Sequence, residues 1–192
     1  ETMPARVEAV VAERINRLDQ HLQAILVLAS VEGEIFTAEV ISQIRTVNEH
    51  ELFDHLSSEL NRKNRLIRAQ SIQRIDGQLL SSYRFRHILT QRYLYGRLDE
   101  VERVHLHEQV GTALESLYGT RDDASGADIV AIAPQLAWHF QEAKDTNKAI
   151  HYLRQAGERA IQLSAYQEAL THLNKGLELL MTLPDSRESA EG

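Results

Sequence analysis

Nine histidines and no cysteine set the side-chain chemistry open to this 192-residue chain. Without thiols, a disulfide framework and a thiolate zinc site are both excluded. His105 and His107 are two residues apart and would point to different helical faces, while His50 and His55 are five apart. Neither pair has the spacing that sets two ligands side by side on one helical face. The sequence holds no His-Glu-x-x-His string, no Ser-His-Asp context and no paired carboxylates in a glycine-rich loop, so a catalytic role of its own is not expected. Nor is there a Gly-x-x-x-x-Gly-Lys-Ser/Thr loop to cradle phosphates. Trp138 is expected to pack between helices rather than to form a ligand platform.

Charge supplies the stronger signal. The net charge of -7 conceals a segment, residues 61 to 97, with 9 basic and 1 acidic residues, between two acidic flanks. Within it, Arg62, Lys63, Arg65, Arg68, Arg74, Arg84 and Arg86 lead up to His87. Such a cluster serves either as a solvated electrostatic face or as a contact for phosphate or nucleic acid. A DNA-binding winged-helix transcription regulator is therefore the alternative reading, with nucleic acid as partner and Arg62, Lys63, Arg65, Arg68, Arg74 and Arg84 as its contacts. Against it, the helix expected over 48 to 61 carries Glu49, Glu51, Asp54 and Glu59, which would face phosphates in a groove.

The elements that must position these residues follow from periodicity. Pro4 suits a first helical turn, and Val7, Val10, Val11, Ile15 and Leu18 recur at helical spacing to about Arg17. Asp19 is placed to cap a second, very apolar helix ending near Glu32-Gly33, expected as the central core element. Thr37 is predicted to cap a short helix, and Asn48 a longer one that buries Leu52, Leu56 and Leu60. Short alternating runs over 66–75 and 78–85 flank Asp76-Gly77, a dipeptide that tolerates the positive φ of a tight hairpin. Helices followed by a two-stranded wing give the winged-helix order. The rest is helical, with Ile88, Leu89, Tyr93 and Leu94 inward, then a stripe of Val104, Leu106, Val110, Leu114 and Leu117.

Residues 119 to 126 are polar and bounded by glycines, which makes them the candidate linker. Two domains are expected: 1–120, a first helix and winged-helix-like domain with its following helices, and 127–185, tetratricopeptide-like helical repeats. Ala149, Ala156, Gly157, Ala169 and Gly176 are small where paired helices approach closely, and fewer than three full repeats predicts an array that continues. The fold class is thus all-α with a small β-hairpin wing. The chain has no signal peptide and no apolar run of membrane-spanning length, so it is expected to be cytoplasmic, without membrane contact. A first residue of Glu1 and a polar tail from Pro184 suggest a piece of a longer protein.

With these pieces in order, the chain resembles bacterial STAND-type signalling ATPases, a class that includes LuxR-type transcription activators and ATPases linked to nucleotide cyclases. The matching segments are Met3-Pro4-Ala5-Arg6-Val7, Arg14-Ile15-Asn16-Arg17-Leu18 and Leu28-Ala29-Ser30-Val31-Glu32-Gly33-Glu34-Ile35-Phe36. They continue with Tyr83-Arg84-Phe85-Arg86-His87-Ile88-Leu89, Leu106-His107-Glu108-Gln109-Val110-Gly111, Leu136-Ala137-Trp138-His139-Phe140 and Ala156-Gly157-Glu158-Arg159-Ala160. The resemblance covers nearly the whole chain and implies the region after the ATPase core: lid end, winged helix, then helical sensor repeats. It implies a non-catalytic region for signal transduction or transcription regulation, with protein partners on the repeats and an intramolecular ATPase core. ATP or ADP would be the cofactor of the parent protein and none is expected in this chain, since neither Walker motif is present. In related switches a Met-His-Asp motif places its His against the β-phosphate of ADP. The similar position is Phe85-Arg86-His87, with Arg before the His and Ile88 after it, so the resemblance makes His87 and Arg86 the candidate ADP-phosphate contacts.

Overall fold

The computed structural model describes residues 5–75, 77–119 and 127–183. Two compact units divide the chain, Glu1–Ala113 and Leu114–Gly192. The described residues are mostly helical, with one small three-stranded antiparallel sheet.

In the first unit, α1 (Ala5–Asn16) precedes α2 (Gln20–Glu32). The Leu22 N–H donates to Asp19 Oδ1 at 2.8 Å, so the second helix starts on the cap that the sequence marks. It buries Leu22, Ile25, Leu26, Leu28, Ala29 and Val31 and is the central helix, since apolar residues on nearly every side leave it no solvent face. It stops at Gly33, whose φ of 139° is one that side chains rarely adopt. Next come β1 (Ile35–Thr37), α3 (Ala38–Arg45) and α4 (Glu49–Asp54), which runs on in wider π-type turns through His55–Lys63. Asn48 caps α4 as expected, its Oδ1 accepting the His50 N–H at 2.9 Å.

The hairpin is β2 (Ile67–Ile75) and β3 (Gln78–Phe85), with Gly77 at φ 80° in the turn. Asp76 lies outside the described residues, as do Pro4, the linker residues 120 to 126 and the tail from Pro184. The expected two-stranded wing has a third strand. β1 pairs with β3, giving the order β1-β3-β2, with Phe36 opposite Tyr83 and Ile67 opposite Phe85. The Phe36 ring lies 6.0 Å from Tyr83 and 5.4 Å from Phe85, so aromatic packing anchors this strand beneath the hairpin. Thr37 precedes α3 but does not cap it. Its hydroxyl donates instead to Glu32 Oε1 at 2.8 Å. α5 (Ile88–Gly96) and α6 (Glu100–Tyr118) follow. Ile88 is exposed rather than inward, and the buried stripe of α6 contains His107 where Val104 and Leu106 are only half-buried.

The second unit holds the end of α6 with α7 (Ala127–Ala131), α8 (Ala133–Glu142), α9 (Thr146–Gln162) and α10 (Tyr166–Thr182). The α8–α9 and α9–α10 turns are built alike. Lys144 and Ser164 are both left-handed, at φ 63° and 60°. Asp145 N–H donates to Phe140 O at 2.9 Å and Ala165 N–H to Ala160 O at 2.8 Å, so each helix ends in the same Schellman motif, twenty residues apart. A Cβ on Gly157 would sit 2.6 Å from Leu173 Cγ, and Ala149, Ala156 and Ala169 are buried. Close helix approach therefore explains the small residues. Ala169→Leu is expected to overpack this contact and to destabilise the unit by about 1 to 3 kcal/mol in a thermal melt. An unchanged midpoint would mean that the site can expand freely.

Candidate functional site

The candidate site is the junction at which β3 becomes α5. Backbone bonds hold it in place: Phe85 N–H donates to Glu34 O at 3.0 Å and Arg86 N–H to Leu66 O at 2.9 Å. Arg86 then folds back on its own unit. Its Nε donates to Ile67 O at 2.9 Å and its Nη2 to Asn61 Oδ1 at 3.0 Å. The guanidinium thus ties the hairpin root to the end of the π-type helix, leaving its other donors toward solvent. His87 occupies the N-cap position of α5 with extended backbone, and its carbonyl accepts the Thr90 N–H at 3.0 Å. Its exposed imidazole caps nothing and has no hydrogen bond or ion pair among the described residues.

The other basic residues divide by what holds them. Arg62 Nε donates to Ser57 O at 3.2 Å and its Nη2 to Ser58 Oγ at 2.9 Å. Lys63 pairs with Glu59 at 2.9 Å, and that carboxylate holds the ammonium above its ordinary range. Arg74 Nη1 donates to Gly77 O at 2.8 Å, closing the hairpin tip, and Arg84 Nε lies 3.7 Å from Glu34 Oε1. Arg65 and Arg68 are exposed, with no side-chain partner among the described residues. Arg65 also has a positive φ of 51°, unusual for a residue with a side chain. It precedes Leu66, the residue bonded to Arg86, so its chain position flanks the same junction as His87. The structure therefore brings Arg65, Arg86 and His87 to one root and leaves Arg74 at the far tip. On α4, Glu49, Glu51 and Asp54 are all exposed, which puts acidic groups on the face a groove-binding helix would offer.

Three carboxyl and imidazole groups in this unit are buried, and sequence reasoning marked none of them as core. Glu32 ends the central helix, and both carboxyl oxygens accept from Thr37: Oε2 from the N–H at 3.0 Å and Oε1 from the hydroxyl at 2.8 Å. Burial pushes its pKa up to about 7 although the Thr37 bonds oppose the rise; repulsion from Glu39 adds to it. Glu39, which accepts the Ser81 N–H at 2.8 Å, is likewise raised by desolvation. His107 is fully buried, its Nε2 2.9 Å from the Tyr95 hydroxyl, and burial with the nearby Arg103 charge lowers its pKa to about 4. One signal was available for Glu32, a carboxylate in a run of apolar residues just before Gly33.

Among the described residues no helix is long and apolar enough to cross a membrane, and no group of three or more His, Asp or Glu side chains could hold a metal ion. Comparison with protein-family models, with curated proteins and with solved structures finds no significant match to this chain.

Proposed function

We propose that this chain is a non-catalytic regulatory and protein-interaction region of a STAND-type signalling ATPase, passing a signal between helical repeats and a nucleotide switch. The observation that carries this reading is the junction at His87: a rigidly held backbone presenting an imidazole that its own unit does not use. Such a donor suits a phosphate oxygen supplied from outside the unit. The element order supports a winged helix, since helix, strand and two helices precede the hairpin and the first strand pairs at its inner edge. The repeated Schellman turns and close α9–α10 approach support tetratricopeptide-like repeats.

The mechanism is a bistable docking. In the resting state His87 donates to a phosphate oxygen of ADP held by the ATPase core, with the exposed Arg65 adding positive potential at the junction. A signal bound on the repeats favours the state in which this contact is broken. Arg86 acts as a positioning residue, fixing the hairpin root through Ile67 and Asn61. Alone, the chain is expected to show no ATP turnover, because no phosphate-cradling loop is present. A phosphate-release assay with purified chain checks this, and steady turnover would refute the non-catalytic reading.

A further inference from the structure

Sequence spacing sets no two histidines side by side on one helix, yet the fold brings together two from different helices. His21, in the first turn of α2, and His55, where α4 passes into its π-type turns, have ring centroids 5.1 Å apart. Their planes are tilted by 58°, so the rings are not stacked. His21 is exposed and makes no hydrogen bond or ion pair among the described residues. Glu51, one turn before His55, holds its Oε1 3.8 Å from His55 Nε2, too far for a hydrogen bond. In the neutral form, each imidazole therefore keeps a lone pair that the chain does not use.

We propose that His21 and His55 together bind one zinc ion between α2 and α4, with water in its remaining positions. Two imidazoles on one tetrahedral ion, each bonded at about 2.0 to 2.1 Å, set their ring centroids about 5 Å apart, which is the separation found. Turning the rings to aim one nitrogen of each at the ion then requires no helix to move. The class of ion follows from the ligands. Imidazole suits zinc, copper and nickel rather than the oxygen-seeking calcium and magnesium, and the tetrahedral separation selects zinc among them. Glu51 adds negative charge and stands as the carboxylate partner that metal-bound imidazoles ordinarily have. Because no third protein ligand converges with these two, the ion keeps exchangeable water and binds weakly. His55 also opens the π-type stretch, and such turns gather at functional sites. The ion joins residues thirty-four positions apart, so it favours the folded chain, in which alone the two rings meet. The site uses neither His87 nor Arg86 and does not rest on the nucleotide reading.

Calorimetric titration of the tag-free chain with zinc chloride, at about pH 7.5 where free imidazole is neutral, tests this. One ion per chain with a Kd of about 10 to 100 μM is expected for two imidazoles and water. His21→Ala and His55→Gln should each weaken binding at least about tenfold, the loss of one ligand of two. The exposed position of His21 makes its variant the decisive one, since its circular dichroism should match that of the wild type. Zinc at about 1 mM should also raise the melting temperature of the wild type and leave that of His21→Ala unmoved. A wild-type chain that shows neither heat nor a melting shift at that concentration overturns the proposal. So does binding of equal strength in His21→Ala, which would place the ion on other histidines of the nine.

Discussion

Glu32→Gln is expected to remove a contribution of the Glu32 carboxyl that lowers stability by about 3 kcal/mol between pH 4.5 and pH 7. The sign follows from where the protons sit. The folded carboxyl keeps its proton up to about pH 7, whereas the unfolded one releases it near its model value of 4.5. Over that window the unfolded state binds fewer protons, so raising the pH draws the equilibrium toward unfolding. Below 4.5 both states are protonated and the effect vanishes. His107 acts in the opposite direction. Its folded pKa of about 4, against 6.5 for the free side chain, keeps the folded imidazole neutral while the unfolded one gains a proton. Stability is therefore lost as pH falls from 6.5 to 4, by a similar amount. In the wild-type chain these two contributions oppose each other between pH 4.5 and 6.5 and nearly cancel. Urea melts at pH 4 and pH 8 check this: the advantage of Glu32→Gln over wild type should grow by about 3 kcal/mol between them. A gap that is constant with pH would mean that the folded Glu32 carboxyl titrates as it does in the unfolded chain.

How far the molecule could be read from its residues depends on the range of the forces that set each part. The hairpin was legible because alternation and Asp76-Gly77 are local signals, and the Asp19 and Asn48 caps because each bonds a backbone N–H within three residues. β1 was not. Its three residues are held by pairing with β3, more than forty positions away, and by Phe36 against Tyr83 and Phe85. Thr37 looked like a cap by type, yet the buried Glu32 competes for its hydroxyl and wins. His107 was weighed only as a ligand partner of His105 and left out of the apolar stripe, although a hydrogen bond with Tyr95 lets an imidazole take a core position in α6. At the candidate site the sequence marked His87 and Arg86 by resemblance. Their different roles, one anchored and one free, came only from Asn61 and the Ile67 carbonyl. The repeated turns after α8 and α9 lacked a glycine at Lys144 and Ser164, so the usual left-handed signal was missing.

The second large effect concerns His87. In a protein that joins residues 1–192 to the proposed ATPase core, His87→Ala is expected under this proposal to remove one hydrogen bond made only in the closed state. A bond to a charged phosphate contributes about 1.4 to 2.8 kcal/mol, which shifts the closed-to-open ratio by about ten- to a hundred-fold. Signalling output should then rise without the signal. The melting of residues 1–192 alone should stay unchanged, because the His87 side chain is exposed and bonds nothing among the described residues. That pair of readouts separates a switch contact from a structural one. The decisive measurement is the dissociation rate of ADP from the joined protein, wild type against His87→Ala. Release that is about ten- to a hundred-fold faster in the variant is the result this account predicts; equal rates would contradict it and leave His87 an ordinary helix-start residue.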